Sequence, residues 1–248
     1  MNLVWGILII LAVTSVAVGS MLLVRRGAPA GSRFQDGDRA SGVFGVLSTG
    51  FAITLGFVIF LAFESYDTSR SGAETEAEIT MQQFETAQFM PRAVRAQLSG
   101  ELVCYARTVV HQEWPEMESG ALGNAFNPWG VAMFKTIQTV EPQSNAEQTA
   151  FDKWFDQRSD RESARQDRVH GAEGVIPLPL WIVLLLSAGV IFVFMLFFAD
   201  SAERAVVQAT MMGGVAIVIT STLLLLLFLD RPYPVSYTHL TLPTICSV

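Results

Sequence analysis

The sequence predicts an all-α, polytopic membrane protein with four transmembrane helices and a helical extramembrane domain between spans two and three. Three observations predict this class. Of the 248 residues, 51% are apolar and only 16% are charged, and the mean hydropathy is positive at +0.40. Four long stretches contain no charged residue. The sequence between the second and third stretches shows helical rather than strand periodicity.

Each of the four uncharged stretches is long enough to cross a bilayer. A helix needs about 20 apolar residues to do so, and a lipid-exposed segment must satisfy its own backbone hydrogen bonds, which favours a helix. The alternative is a set of helices buried in a water-soluble core, and the number and length of the stretches disfavour it. The stretches are residues 3–24, 42–63, 175–198 and 205–229.

The first stretch is interpreted as a retained span rather than a signal peptide. Ala28, Pro29 and Ala30 resemble a cleavage site after it. However, no basic residue precedes the stretch, and its apolar core exceeds the roughly 7–15 residues of a signal. Residues 25–41, rich in Gly, Arg and Asp, then form a connector to the second stretch.

The second stretch and the residue that follows it carry the first candidate functional residues. Phe57, Phe60 and Glu64 are spaced by three and four residues, so they share one helical face. In an oligomer, rings of phenylalanine can gate a pore by dewetting, and a ring of glutamate can select cations. The alternative is that the phenylalanines face lipid or another helix and that Glu64 marks the membrane interface.

Small residues in the same stretch favour close approach of helices. They occur as pairs four residues apart, which places each pair on one face. The pairs are Gly45 with Thr49 and Ala52 with Gly56. They predict tight packing and say nothing about permeation.

Residues 64–174 form the predicted extramembrane domain. Residues 69–89 contain few helix breakers apart from Gly72, so we expect them to continue the second span as one long helix. The next helix carries an amphipathic stripe over residues 94–109. It is predicted to end at Trp114, which Pro115 follows.

The last helix of this domain changes character along its length. Ser144 and Glu147 form a capping box at its start, and four arginines later lie on one stripe. The functional interpretation is contact with anionic lipid headgroups or attraction of anions toward a pore. The alternative is a solvated helix end, since acidic neighbours dilute the charge. The arginines are Arg158, Arg161, Arg165 and Arg168.

Several classes of function are disfavoured. The net charge of −7 is opposite to the basic footprint of nucleic-acid-binding proteins. His111 and His170 stand alone, and no nucleophile-elbow, phosphate-loop or zinc-ligand spacing occurs, so we expect no enzyme, metal site or cofactor. No ionisable residue lies within a stretch, whereas proton-coupled transporters usually need one.

Residues 235–248 are predicted to be a non-native tail. The six residues from Val235, VSYTHL, match the translation of a transposase adapter used in sequencing libraries. A segment of this origin carries no information about the native fold. Native sequence is then expected to continue beyond Pro234. Without His239 and Cys246, Cys104 has no partner, and no disulfide is expected.

An ordered set of short motifs runs along almost the whole chain before the tail. The set comprises Gly56, Phe57, Tyr66, Asp67, Arg70, Glu76, Ala77, Met90, Pro91, Arg95, Leu98, Tyr105, Glu113, Trp114 and Pro115, and then Leu229, Asp230, Arg231 and Pro232 after the fourth stretch. This set resembles the bestrophin-like proteins, a bacterial membrane family that is distantly similar to bestrophin anion channels.

The resemblance implies a homo-oligomer, pentameric in bestrophins, whose second span lines an ion pore. It implies a constriction at Phe57, Phe60 and Glu64. The pore mouth would then lie at the three residues Tyr66, Asp67 and Arg70.

Two departures from the bestrophin pattern bear on selectivity. Thr68 and Ser69 stand where bestrophins carry a tryptophan pair, and Glu64 stands where they tend to carry arginine. Because a ring of carboxylates at a pore mouth repels anions, Glu64 disfavours an anion preference.

The arginines near the span ends are almost equally divided between the two sides, so the positive-inside rule does not choose an orientation. The resemblance implies a bacterial inner-membrane protein whose central domain is cytoplasmic. Expected partners are membrane lipid, further copies of the chain and inorganic ions.

The predicted organisation has four parts: transmembrane helices one and two with their connector, the helical domain, transmembrane helices three and four, and the tail. Their bounds are residues 1–63, 64–174, 175–234 and 235–248. Two functions stay open: an oligomeric ion channel, or a non-conducting scaffold or signalling protein that binds a partner through its helical domain.

Overall fold

The computed structural model describes residues 3–30, 33–34, 36–118, 127–231 and 233. Within these residues the structure contains helices and no strand, which confirms the all-α prediction. Pro232, Pro234 and the predicted non-native tail, with His239 and Cys246, lie outside the described residues.

The chain divides into two compact units. The first, here called the membrane unit, contains residues 1–63 and 175–230, and the second, the central unit, contains residues 64–174 and 231–248. A π-helical segment, Val109–Glu113, joins α3 to α4. The α-helices of the described residues are α1 Leu3–Arg26, α2 Gly37–Ala87, α3 Arg92–Thr108, α4 Trp114–Glu118, α5 Pro128–Ile137, α6 Asn145–His170, α7 Leu178–Phe197 and α8 Ala205–Asp230.

Four helices, α1, α2, α7 and α8, are long and apolar enough to cross a membrane, as the sequence predicts. Helix α2 has 51 residues. At about 1.5 Å per residue it is roughly 75 Å long, more than twice the ~30 Å of a hydrocarbon core. The predicted continuation of span two as one helix is therefore confirmed. Helix α7 follows Pro177 and has Pro179 in its first turn, where a missing amide hydrogen costs little.

Helices α1 and α8 pack closely through small and apolar residues. A Cβ atom on Gly213 of α8 would lie 3.4 Å from the Val18 side chain of α1. Ala17 and Met21 of α1 form a buried cluster with Met212 and Ala216 of α8, among others. Close backbone approach through small residues is the usual basis of helix association in lipid.

Asp230 links the end of the fourth span to the start of the third. Its Oδ1 accepts hydrogen bonds from the backbone N–H groups of Val175 and Ile176, each at 2.8 Å, and its Oδ2 accepts one from Trp181 Nε1 at 3.4 Å. Those amides precede α7 and have no helical partner of their own. The buried carboxylate supplies the missing acceptor.

The core of the central unit is formed by α3, α5 and α6. The predicted stripe of α3 is buried at Leu98, Leu102 and Tyr105, and it packs with Met133, Ile137 of α5 and Trp154 of α6, among others. Ser144 caps α6, since its hydroxyl accepts from the Glu147 amide at 3.2 Å. The Glu147 carboxylate in turn accepts from the backbone N–H of Gln143 at 2.6 Å.

The prediction that the helix after Pro91 ends at Trp114 is wrong. The helical path continues through the π segment into α4, which begins at Trp114 and ends at Glu118. Pro115 has no N–H to donate, and the Trp114 N–H, which donates to the Val109 oxygen, connects the π segment to α4.

Candidate pore-lining face and a buried charge network

The membrane-spanning part of α2 has one face packed within its own chain. Phe51, Leu55, Val58 and Ala62 are buried, with exposures of 8, 6, 3 and 0%. Their spacing of four, three and four residues places them on a single stripe of the helix. Two turns earlier, Phe44 stacks on Phe194 of α7, with ring centroids 5.8 Å apart.

The predicted constriction residues lie on the other side of α2. Ile53, Phe57 and Phe60 are 68, 63 and 61% exposed. At about 100° per residue, the stripe formed by these residues and Glu64 is centred roughly 160° from the packed stripe. Both phenylalanines therefore face away from the packed stripe, and none of the residues that the structure describes covers them.

The small residues of α2 also face outward. A Cβ built on Gly45 or Gly56 meets no atom within 4 Å, and Thr49 and Ala52 are exposed. The close approach that these pairs predict therefore does not occur among the described residues of this chain.

The predicted mouth residues occupy the next turns of α2. Glu64 and Asp67 are exposed, and Tyr66 is half-buried. Arg70 donates from Nε to Glu74 Oε1 at 3.1 Å. This hydrogen bond and the charge of Glu74 raise the pKa of Arg70. Because the positive charge of Arg70 is offset by Glu74, the net charge of this exposed surface is negative.

The central unit contains a buried charge network centred on Arg168 of α6. Its Nε and Nη2 donate to the two carboxylate oxygens of Glu76, and its Nη2 also donates to Glu113 Oε2 at 2.6 Å. All three side chains are at most 5% exposed. Two carboxylates thus share one guanidinium in a site that excludes solvent.

Neutral groups complete this network. The Tyr105 hydroxyl donates to Glu76 Oε1 at 2.6 Å, and Asn127 Nδ2 donates to Glu113 Oε1 at 2.9 Å. The partly buried Arg165 lies 3.5 Å from the same Glu113 oxygen. A carboxylate removed from water needs several such donors.

The buried environment shifts two pKa values. Burial, and then the neighbouring Glu76 charge, raise the pKa of Tyr105, so its hydroxyl stays a donor. Burial alone would lower the pKa of Arg168, but attraction and hydrogen bonds from Glu76 and Glu113 outweigh it and raise that pKa. Arg168 is therefore a permanent cation.

Two backbone features position the network. The π segment ends at Glu113, and its extra residue rotates the following helix relative to α3. Gly72 of α2 lets α6 approach closely, since a Cβ there would lie 2.7 Å from the Arg168 backbone nitrogen and 2.8 Å from the Ala164 oxygen. Gly72, the helix breaker noted in the sequence, is thus a point of contact between α2 and α6.

The structure separates the four predicted lipid- or anion-contacting arginines into two pairs. Arg161 and Arg168 are 1 and 0% exposed, so burial inside the unit contradicts headgroup contact for them. Arg161 donates to Gln83 at 2.6 Å and lies 4.6 Å from the Tyr105 ring centroid. Arg158 and Arg165 are partly exposed, and Arg158 lies over the Phe134 ring at 4.5 Å.

The sequence holds a signal that distinguishes these pairs. The buried residues of α6 recur at alternating spacings of four and three, and the stripe includes two arginines. Arg158 and Arg165 each follow a buried position by one residue. The buried positions are Ala150, Trp154, Gln157, Arg161, Ala164 and Arg168.

The sequence identifies Glu76 and Glu113 only as members of a motif set, and Tyr105 also as part of the apolar stripe of α3; the structure brings the three together around Arg168. His111 and His170 are exposed. Among the residues that the structure describes, no group of three or more His, Cys, Asp or Glu side chains is placed to hold a metal ion.

The sequence matches the Bestrophin-like domain family over residues 3–237. No curated protein matches the chain in sequence. A crystal structure of a mutated membrane protein superposes with a TM-score of 0.69 at 12% identity and covers 94% of this chain and 93% of its own. A crystal structure of a mutated bacterial bestrophin homolog from Klebsiella pneumoniae gives 0.67 at 13% identity, covering 98% of this chain and 94% of its own.

Proposed function

The chain belongs to the bestrophin-like family, and we propose from this premise that it is an oligomeric ion channel whose second span lines the pore. It is a multi-pass membrane protein, with four helices suited to span a bilayer. In this proposal copies of the chain assemble around α2, as a pentamer by analogy with bestrophins. The protein is then a conduit rather than an enzyme.

The observation that supports this proposal is the outward stripe of α2. A pore-lining stripe must face away from the packing contacts of its own subunit, and the stripe with Phe57 and Phe60 lies opposite the packed stripe. We assign the two phenylalanines to a hydrophobic constriction that gates by dewetting. The exposed small residues Gly45 and Gly56 are then assigned to contacts with the α2 helices of neighbouring copies.

We further propose that the channel prefers cations. Glu64 and Asp67 are exposed acidic groups just beyond the constriction, and Arg70 is neutralised by Glu74. Repeated around an axis, these residues form rings of negative charge that concentrate cations and repel anions. Tyr66, Asp67 and Arg70 would thereby line the mouth.

Electrical recording from planar bilayers with the purified oligomer tests the proposal. Phe60→Ala should widen the constriction and raise single-channel conductance. Phe63→Ala is a matched control, because Phe63 is also exposed but lies about a quarter turn from the stripe. Glu64→Gln should move the reversal potential in a salt gradient toward zero. A correctly assembled oligomer that passes no current would instead favour the non-conducting scaffold.

The proposal also includes the orientation of the chain in the membrane. We place the central unit in the cytoplasm and the chain in the bacterial inner membrane. Single cysteines introduced beside Arg70 and beside Arg33, with Cys104 replaced by serine, test this in intact cells. An impermeant maleimide should label only the site beside Arg33.

A further inference from the structure

A cavity of about 400 Å³ lies in the central unit, between the last turns of α2 and the first half of α6. Pockets for small molecules commonly have volumes of ~300–1,000 Å³. Gln82, Glu85 and Thr86 of α2, with Phe89 just after its end, form one wall. The cavity is not part of the proposed pore, and the inference below holds whether or not the protein conducts ions.

Gln157 of α6 is the buried polar group of this cavity. It is only 5% exposed, and neither its Oε1 nor its Nε2 has a hydrogen-bond partner among the described residues. A buried amide without partners is destabilising, so a group that both donates and accepts would satisfy it.

The cavity also carries one charge of each sign. Lys153 precedes Gln157 by one helical turn on α6, and Glu85 lies on the facing wall. Both side chains are exposed, and neither takes part in an ion pair within the described part of the chain. An anion would be repelled by Glu85 and a cation by Lys153. A zwitterion matches both groups, because a carboxylate pairs with the lysine and an ammonium group pairs with the glutamate.

We propose that this cavity binds a free amino acid with a polar side chain. Its carboxylate pairs with Lys153 and its ammonium group with Glu85, and its side chain exchanges two hydrogen bonds with the Gln157 amide. Ala150 and the exposed Phe89 supply the apolar wall. The ligand requires both charges and a side chain that donates and accepts.

Isothermal titration calorimetry on the purified full-length chain in detergent tests this site. The probes are L-serine, L-asparagine and L-glutamine, with L-leucine as the apolar comparison and acetamide as the uncharged amide. We expect saturable binding of at least one polar amino acid and much weaker binding of L-leucine and acetamide. No saturable binding of any polar amino acid below about 10 mM, a Kd corresponding to only ~3 kcal/mol, would overturn the proposal.

Variants identify the site. Gln157→Met keeps the length of the side chain but removes both amide atoms, and it should weaken binding by roughly tenfold or more. Gln148→Met is the matched control, since Gln148 is exposed on the same helix and bonds to Asp152. If Gln157→Met binds the amino acid as tightly as the unaltered chain, solvent satisfies the amide and the assignment fails.

Variants of the two charged residues test the site without altering a buried side chain. Lys153→Gln and Glu85→Gln alter exposed side chains, so both variants should fold normally. Each should weaken amino acid binding severalfold, and the weakening from Lys153→Gln should shrink at high salt. Unchanged affinity in both variants would overturn the zwitterion assignment even if Gln157→Met proves unstable.

Discussion

Replacing Arg168 with methionine should destabilise the central unit. The change keeps much of the apolar stem and removes the guanidinium that Glu76 and Glu113 share. Glu113 retains Asn127 and the nearby Arg165, whereas Glu76 retains only the Tyr105 hydroxyl among its side-chain donors. Glu76 therefore becomes a buried charge without a cation.

The cost follows from leaving that charge buried without its partner. Breaking a buried pair typically costs about 3–5 kcal/mol. The deficit in unfolding free energy should therefore be about 4 kcal/mol.

Thermal unfolding of the full-length chain in detergent, followed by tryptophan fluorescence, measures this deficit. For a unit of this size, 4 kcal/mol corresponds to a lowering of Tm on the order of 15 °C. Arg158→Met is the control, since Arg158 is half-exposed over Phe134 and should cost at most about 1 kcal/mol. The double variant Arg168→Met with Glu76→Gln should recover much of the loss.

The reasoning is refuted by either of two results. One is a loss at pH 7 no larger than that of the Arg158 control. The other is a double variant that is no more stable than Arg168→Met alone, because removing the orphaned charge must recover stability if that charge causes the loss.

Three further predictions concern stability. Gly72→Ala should cost roughly 1–3 kcal/mol, because its Cβ would overlap the α6 backbone; Gly100→Ala, with open space around it, should instead stabilise by about 0.5–1 kcal/mol. Burial raises the pKa of Tyr233 to about 12, so the folded state keeps this proton while the unfolded chain loses it near pH 10. The stability advantage of the unaltered chain over Tyr233→Phe should thus shrink by about 2–3 kcal/mol as the pH rises from 10 to 12, and denaturant titrations that show no such trend would count against it. Asp230→Ala should cost on the order of 1–3 kcal/mol by leaving the Val175 and Ile176 amides unpaired, and melting at the same Tm as the unaltered chain would contradict that role.

The membrane helices and much of the core are predictable from sequence because each depends on a pattern of apolar residues. Long uncharged stretches give the spans, and the three-and-four spacing gives the buried faces of α3 and α6. The outward position of Phe57 and Phe60 also agrees with their shared helical face.

The buried network was not predictable, because its members are of residue types that are normally exposed. Nothing in the local sequence pairs Arg168 with Glu76, which lies 92 residues earlier. The four-and-three pattern of α6 does place Arg161 and Arg168 on the buried stripe. Four arginines spaced three and four residues apart, however, are more typical of a charged surface. Gly72 similarly resembles an interruption of α2 in the sequence. The close packing of α6 explains why a glycine stands there.

The π segment Val109–Glu113 determines where this chain can lose a residue. A π turn amounts to one inserted residue in an α-helix, so it sets the following residues back by about 100° from the register that an unbroken α-helix would give them. Deleting one residue between positions 109 and 112 would remove the insertion and the bulge together, which restores regular α-helix and keeps Glu113 near Arg168 and Trp114 near Tyr233, whose ring lies 5.6 Å away at 88°. A deletion in α3 has no such insertion to remove and would instead turn everything downstream by about 100°. Single-residue gaps in related genes should therefore occur in the π segment and not in α3.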